Sequence, residues 1–242
     1  MQQTPTLAFL QEHLLQVRER MQTAAQSAGR APGEILLCAA SKTQSVETVQ
    51  LAAGLDIDLF GENRVQEFCE KHDAGAYGDK PLHFIGHLQT NKVKQVVGRA
   101  VMIESVGSAK LLRQVAAEAE KQGLCQRILI EINIGAEESK SGIAPAELLP
   151  LLAEAGTMPS VTVRGLMAIP PIAETPGANR RYFAQMRALF EKASALHAEN
   201  LKMEYLSMGM SHDFEDAIKE GANIVRVGTA LFGARPPMQT LL

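Results

Sequence analysis

The sequence predicts an α/β fold, a single (β/α)8 TIM barrel over residues 1–242 with an extra helix at its N-terminal end. Eight short apolar segments alternate with longer amphipathic ones, a pattern typical of parallel strands that are covered by helices and buried on both faces. The length of 242 residues is close to the roughly 250 of a one-domain barrel. No linker rich in Gly, Ser and Pro divides the chain. A doubly wound open sheet is the alternative, because periodicity alone does not prove that a sheet closes.

The elements follow one another in a regular order. An amphipathic pattern over residues 7–28 predicts the leading helix. Helical patterns fill the stretches between the strands, for example residues 109–122 and 179–200, and Gly123 and Gly221 follow helical stretches as stop signals. The predicted strands are residues 35–40, 57–60, 82–85, 101–104, 128–133, 161–167, 203–206 and 224–227.

Composition narrows the function classes. The net charge is −3 and no basic stripe is present, so no nucleic-acid partner is expected. No apolar run approaches the ~20 residues that cross a bilayer, and the first residues lack the features of a signal peptide, so no membrane association is expected. Cys38, Cys69 and Cys125 are odd in number and far apart, which is typical of reduced thiols. These features favour a cytoplasmic protein.

Lys42 is the strongest candidate for chemistry. Sites in α/β barrels form at the carboxyl ends of the strands, and Lys42 lies two residues past the first predicted strand. An apolar surround or a nearby cation lowers the pKa of a lysine, and the neutral amine can then condense with an aldehyde. The alternative is a lysine that extends its charged end into solvent.

The turns after the last two strands are rich in glycine and hydroxyl side chains. Ser207 and Ser211 belong to the first turn, Gly228 and Thr229 to the second, and each turn leads into a predicted helix. Backbone N–H groups at a helix start bind phosphate, and barrels commonly hold a phosphate after strands seven and eight. Simple helix capping is the alternative. Together with Lys42, these turns predict a ligand that carries an aldehyde and a phosphate.

Three other features are open to more than one interpretation. Arg226, inside strand eight, would offer a ligand only hydrogen-bond donors if it points into the barrel, but would pair with a helix carboxylate if it points outward. His83 and His87 have the spacing of a helical metal pair, yet they lie in a strand and a turn without a third ligand, so no metal site is predicted. Lys140 is either a second amine above the site or a solvated loop lysine.

Segments from most of the chain share one pattern. They are ASKT at 40–43, FGEN at 60–63, HFIGHLQTNK at 83–92, SKSG at 139–142, RGLM at 164–167, LSMGMS at 206–211, VRVGT at 225–229 and FGAR at 232–235. In this order they resemble the pyridoxal phosphate homeostasis protein family, also called the proline synthase co-transcribed family, whose fold is similar to the N-terminal barrel of alanine racemases. Gln44-Ser45 departs from a Lys-Pro pair frequent in relatives, but it lies past the candidate lysine.

The resemblance implies that the cofactor is pyridoxal 5′-phosphate (PLP), held covalently as a Schiff base. It implies a cytosolic protein of vitamin B6 homeostasis without a catalytic residue, and delivery of PLP to apo-enzymes as a further role. The residues implied to hold the cofactor are Lys42 for the Schiff base, Arg226 for the pyridine nitrogen, Asn63 in the pocket, and Ser207, Ser211, Gly228 and Thr229 for the phosphate.

Two other functions stay open. A PLP-dependent racemase or decarboxylase of the alanine racemase type would use the same lysine, but two-base racemisation needs groups on both faces of the substrate. The chain ends about ten residues after Phe232, so we expect neither the second racemase domain with its opposing tyrosine nor the dimer, and we expect a monomer. A Schiff-base aldolase acting on a sugar phosphate would also use Lys42, without a bound chromophore.

Overall fold

The computed structural model of the protein describes residues 5–137, 140–173 and 175–233. Within these ranges the chain forms a closed barrel of eight parallel strands, with the helices on its outside. The first strand pairs with the last, so the predicted TIM barrel is confirmed and the open sheet was the wrong alternative. No helix in the described ranges is both long enough and apolar enough to cross a membrane.

All eight predicted strands are present. Their ends differ from the predicted ones by no more than two residues, except at the seventh strand, which is longer than predicted. The strands are β1 (Leu36–Ala40), β2 (Leu59–Glu62), β3 (Leu82–Phe84), β4 (Met102–Val106), β5 (Gln126–Ile132), β6 (Val161–Ala168), β7 (Leu201–Met210) and β8 (Ile224–Val227).

The helices lie between the strands, as predicted. The connection from β3 to β4 is the exception, because a 3-10 segment, Thr90–Gln95, takes the place of an α-helix there. The helices are α1 (Leu7–Ser27), α2 (Val46–Ala53), α3 (Val65–Asp73), α4 (Ala109–Lys121), α5 (Leu148–Ala155), α6 (Arg180–Ser194), α7 (Phe214–Lys219) and α8 (Thr229–Phe232).

The helix predicted over residues 179–200 ends early, at Ser194. Asn200 explains the difference. Its side-chain amide donates to the carbonyl of Ala155 (2.8 Å), the last residue of α5, and to that of Met158 (2.9 Å) in the turn that follows. The segment before β7 is thereby tied to a neighbouring turn, and β7 begins at Leu201.

The leading helix α1 is held by one apolar face. Leu10, Leu14, Val17 and Met21 recur at helical spacing and are buried, and α1 packs against α7 and α8. At its N-terminus the side chain of Thr6 accepts a hydrogen bond from a backbone N–H of the first turn. The extra helix therefore covers the outside of the barrel near β8.

The core has an outer and an inner layer. The outer layer, between strands and helices, contains fully buried aromatic side chains such as Phe60, Phe68 and Phe84. The inner layer, the lumen, holds two small apolar clusters, one around Cys38 and one around Leu129. Charged and polar side chains fill much of the rest of the lumen. Because burying charge is costly without partners, this polar interior marks the region where a function is to be sought.

Candidate functional site

Lys42 lies at the mouth of the barrel, where the carboxyl ends of the strands meet. Cys38 and Ala40 of β1 belong to the cluster inside the lumen. Side chains alternate along a strand, so Lys42 continues this inward-facing series just past the end of β1. The side chain is partly buried. The lysine is therefore placed where the sequence predicts it.

The turn that carries Lys42 is fixed on both sides. Before it, the hydroxyl of Ser41 donates a hydrogen bond to Glu62 (2.7 Å). After it, the backbone N–H of Thr43 donates to the carboxylate of Glu67 (2.7 Å). Thr43 has a φ of +67°, a left-handed conformation that is rare for a β-branched residue and persists only where the surroundings hold it. The backbone around the lysine is therefore tightly positioned.

A buried ion pair lies behind this turn, between the barrel wall and α3. The Nζ of Lys71 is 2.7 Å from the Oε1 of Glu62 and 2.8 Å from the carbonyl oxygen of Ser41. Glu62 is fully buried and Lys71 is 3% exposed. Tyr77 donates a third hydrogen bond to Glu62 (3.2 Å), and burial together with the carboxylate raises the pKa of Tyr77. The ion pair thus supports the residue that precedes Lys42.

Arg226 points into the lumen, so the alternative of an exterior arginine was wrong. Its Nη1 donates to the hydroxyl of Ser207 (2.6 Å) and its Nη2 to the carbonyl of Ala168 (2.9 Å). The Ser207 hydroxyl donates in turn to Glu104 (2.6 Å), whose other carboxylate oxygen is 2.6 Å from the Nδ1 of His83. A continuous chain of hydrogen bonds therefore crosses the lumen beneath the mouth.

The charge of Glu104 is stabilised within this chain. Burial opposes ionisation of the carboxyl, but the hydrogen bond and charge of His83, the charge of Arg226 and the hydrogen bond from Ser207 outweigh it. The pKa of Glu104 is consequently lowered. A permanently charged guanidinium therefore has a carboxylate near it and keeps a fixed position in the lumen.

The turns after β7 and β8 converge on one hydroxyl. The Oγ of Ser211 accepts hydrogen bonds from the backbone N–H groups of Gly228 (3.2 Å) and Ala230 (3.3 Å), at the start of α8 where Thr229 lies. A Cβ added to Gly228 would lie 3.3 Å from the carbonyl oxygen of Ala40. The converging N–H groups therefore lie directly beside the end of β1 and the turn of Lys42.

Asn63 lies just past the end of β2, at the wall of a cavity of about 530 Å³. Its side-chain Oδ1 is buried and has no hydrogen-bond partner within the described residues. Gly86 packs so closely that an added Cβ would lie 2.1 Å from the backbone oxygen of Asn63. The position of Asn63 thus depends on a glycine after β3, and its amide oxygen is available to a hydrogen-bond donor.

The loops after β5 and β6 meet above the mouth. The Nζ of Lys140 donates to the carbonyl of Pro170 (3.0 Å) and forms an ion pair with Glu137. Ser141 is within 2.9 Å of the Nδ1 of His87, which links the β5 loop to the β3 loop. Lys140 is therefore bound between two loops, rather than extended into solvent.

No metal centre is apparent in the described ranges, where no three His, Cys, Asp or Glu side chains are grouped as ligands. His83 is bonded to Glu104 inside the lumen, whereas His87 is bonded to Ser141 in a loop. The two histidines therefore do not act as a pair.

The structure brings most of the predicted residues to one side of the mouth. The turns of Lys42, Ser211 and Gly228 are adjacent, and Arg226 lies below them in the lumen. Ser207 was predicted to lie in the turn after the seventh strand, but it lies inside β7, where its hydroxyl is engaged by both Glu104 and Arg226. Ser207 stays a predicted phosphate contact, and making that contact would require its hydroxyl to leave Glu104.

Sequence reasoning missed several buried polar residues of the site. Glu104 and Glu131 each stand inside a mostly apolar strand, and this position was the available signal, whereas His83 was considered only as half of a metal pair. Lys71 gave no comparable signal, because it lies on a helix with an ordinary polar pattern and its partner Glu62 comes from the preceding strand.

Comparisons with known proteins agree with this architecture. The family profile described as alanine racemase, N-terminal domain, matches residues 13–236. The chain is 44% identical over 224 residues to the pyridoxal phosphate homeostasis protein of Aquifex aeolicus, covering 93% of this chain and 97% of that protein. It is 40% identical over 233 residues to the protein of that name from Pseudomonas aeruginosa, covering 95% and 97%. A structure of PipY from Synechococcus elongatus with PLP bound has a TM-score of 0.76 at 32% identity, covering 90% of this chain and 100% of that chain.

Proposed function

The chain belongs to the pyridoxal phosphate homeostasis proteins, within the alanine racemase N-terminal domain family, and we propose that it binds PLP and acts in intracellular vitamin B6 homeostasis. We further propose that PLP is held covalently, as a Schiff base on Lys42. One observation carries this proposal. The turn of Lys42 lies beside the N–H groups of Gly228 and Ala230, so an amine and an anion-binding backbone face the same ligand.

The phosphate is proposed to bind at the turns after β7 and β8. The N–H groups of Gly228 and Ala230 already converge on a single acceptor, the Ser211 hydroxyl. Backbone N–H groups arranged in this way suit an anion. The hydroxyls of Ser211 and Thr229 would add donors, and that of Ser207 would join them on leaving Glu104. The Oδ1 of Asn63, which has no hydrogen-bond partner within the described residues, supports the proposed role of Asn63 as a pocket residue.

Arg226 is proposed to contact the pyridine nitrogen. It points into the lumen beneath the mouth and is held there by Ser207 and Ala168. A guanidinium carries only donors and keeps its proton, so it would leave the ring nitrogen unprotonated. Bound PLP supplies an aldehyde and an electron-withdrawing ring, and an unprotonated nitrogen weakens the second property. This arrangement favours holding PLP over catalysis that uses the ring as an electron sink.

The absence of robust turnover is part of the proposal. A racemase of the alanine racemase type would need a second acid or base opposite Lys42. Tyr77 is bonded to Glu62 outside the lumen, Tyr182 lies on the outer helix α6, and Tyr205 lies in β7 below the mouth. None of the three is placed at the mouth. The curated relatives are named as homeostasis proteins rather than as enzymes, which is consistent with this view.

The remaining parts of the proposal concern cellular context. We propose a cytoplasmic monomer that delivers PLP to apo-enzymes. Its three cysteines, Cys38, Cys69 and Cys125, are free thiols, which suits a reducing compartment. Size-exclusion chromatography with light scattering tests the monomer, and PLP transfer to a purified apo-enzyme tests delivery.

The covalent link is tested by visible spectroscopy and peptide mapping. The PLP-loaded protein should be yellow, and borohydride reduction should fix the label on the peptide that contains Lys42. Lys42→Ala should lose covalent attachment, whereas Lys140→Ala, which removes a second amine near the mouth, should keep it. A label on another peptide would refute the Lys42 assignment, and a colourless protein that refuses PLP would favour the aldolase. Rapid deuterium exchange at the α-carbon of amino acids would favour the racemase.

A further inference from the structure

A second cavity, of about 540 Å³, opens at the carboxyl ends of β3, β4 and β5. In the closed barrel these strands lie opposite β7 and β8, where the phosphate site is proposed. The cavity therefore shares the mouth with Lys42 but contains none of the residues proposed to hold PLP. Its polar lining includes His87, Asn91, Ser105, Ser108, Glu131 and Ser141.

Two buried side chains of this lining each have an atom without a hydrogen-bond partner in the part of the chain that the structure describes. Glu131 is 6% exposed and Ser105 is 2% exposed. The Oε2 of Glu131 and the Oγ of Ser105 form no hydrogen bond within the described residues. Buried polar atoms are nearly always hydrogen-bonded, because leaving one unpaired costs stability. Two such atoms on the wall of one cavity indicate that a ligand completes their bonding.

The charges around the cavity favour a cationic ligand over an anionic one. Neither lysine nor arginine occurs among the described residues that line it. Burial raises the pKa of Glu131 to about 7, and the charge of Arg226 opposes this only in part. A cation beside Glu131 would favour its ionised form, whereas an anion would be repelled by it. The first turn of α4 offers little to an anion, since Ser108 already accepts from the N–H of Leu111 (3.1 Å).

We propose that this cavity binds a small primary amine, with its ammonium group paired to Glu131 and hydrogen-bonded to Ser105. The other charged groups nearby are already engaged. Arg226 is directed to Ser207, and Glu104 is bonded to both Ser207 and His83. The ammonium therefore meets one unpartnered carboxyl oxygen. This site goes beyond the proposed PLP function, because nothing in it requires PLP to be present.

The amine site is tested on the folded protein freed of PLP, with n-butylamine as the probe at pH 7. Calorimetry or saturation-transfer NMR should detect n-butylamine, and should detect n-butanol and butyrate only more weakly. Glu131→Gln should weaken n-butylamine binding about ten-fold or more, the value of a charge-assisted hydrogen bond. Glu191→Gln, which removes an exposed carboxylate on α6, should leave it unchanged. Equal binding of n-butylamine to the wild type and to Glu131→Gln would overturn the proposal.

A second measurement needs no variant. In the wild-type protein, carbon-13 NMR should place the pKa of Glu131 near 7 without ligand and lower it when n-butylamine is added. An unchanged pKa at saturating amine would overturn the site. PLP binding is measured separately by visible absorbance. A protein that binds n-butylamine but not PLP would refute only the PLP function. A protein that binds PLP but not n-butylamine would refute only the amine site.

Discussion

Replacing Lys71 by methionine measures the contribution of the buried ion pair behind Lys42. Methionine keeps the length and the apolar stem of lysine but removes the ammonium group. The variant loses the contacts from Nζ to Glu62 (2.7 Å) and to the carbonyl of Ser41 (2.8 Å). Glu62, which is fully buried, is left without its closest cation.

Removing one partner of a buried ion pair costs about 3–5 kcal/mol, mostly because the other charge stays buried. Ser41 and Tyr77 still donate hydrogen bonds to Glu62 at 2.7 and 3.2 Å. We therefore expect the free energy of unfolding of Lys71→Met to fall by an amount near the lower end of this range, about 3 kcal/mol. Urea denaturation followed by circular dichroism gives the value. Lys192→Met, at an exposed position on α6, should stay within about 0.5 kcal/mol of the wild type.

The double variant Glu62→Gln/Lys71→Met separates the cost of an unpaired Glu62 carboxylate from the other effects of replacing Lys71. It has no unpaired carboxylate, so it should be more stable than Lys71→Met alone. PLP affinity should fall in Lys71→Met and not in Lys192→Met, because Ser41 loses its anchor next to Lys42. The reasoning would be refuted if Lys71→Met lowered the free energy of unfolding by less than about 1 kcal/mol. It would also be refuted if the double variant were no more stable than Lys71→Met.

Three further predictions concern the mouth and the lumen. Gly86→Ala should displace Asn63, since the added Cβ would lie 2.1 Å from the backbone oxygen of Asn63. Titration with PLP should then give weaker binding, and an unchanged affinity would argue against Asn63 as a residue of the PLP pocket. The folded pKa of Glu131 is raised from 4.5 to about 7, so its contribution to stability falls as pH rises between these values. The difference in unfolding free energy between Glu131→Gln and the wild type, measured by urea denaturation, should shift in favour of the variant by up to about 3 kcal/mol between pH 4 and pH 8. Parallel pH profiles of the two proteins would contradict this. Arg226→Lys replaces the two donor nitrogens that bond Ser207 and the carbonyl of Ala168 with one ammonium nitrogen on a shorter side chain, so it should alter the visible band of the PLP-loaded protein; an identical spectrum would refute the proposed contact with the pyridine nitrogen.

The barrel and the position of its lysine could be predicted from the sequence because both depend on local patterns. Apolar segments at regular intervals specify strands and helices, and the carboxyl end of a strand specifies the mouth. Lys42 lies two residues after β1 and Gly228 directly after β8, as the sequence predicts. The inward orientation of Arg226 could not be predicted, since the apolar residues around it in β8 are buried on both faces.

Contacts between distant segments account for what the sequence did not reveal. The depth of Ser207 depends on Glu104, 103 residues away, whose carboxylate takes up its hydroxyl. The turn of Lys42 depends on Lys71, a helix residue 30 positions after Ser41. No periodic pattern records such pairings, because each partner suits its own element equally well without the other. A charged residue inside an apolar strand, such as Glu131, is the nearest signal that the sequence offers.

The pairing of β1 with β8 has a consequence for how the protein matures. Cys38 pairs in register with Arg226, so groups from opposite ends of the chain become neighbours only when the barrel closes. During synthesis Lys42 is made before Gly228 and Thr229. Under the proposed binding mode, a nascent chain that has Lys42 but lacks the turn after β8 would retain PLP poorly. Retention of PLP would then indicate that β1 and β8 have paired and that the barrel is closed.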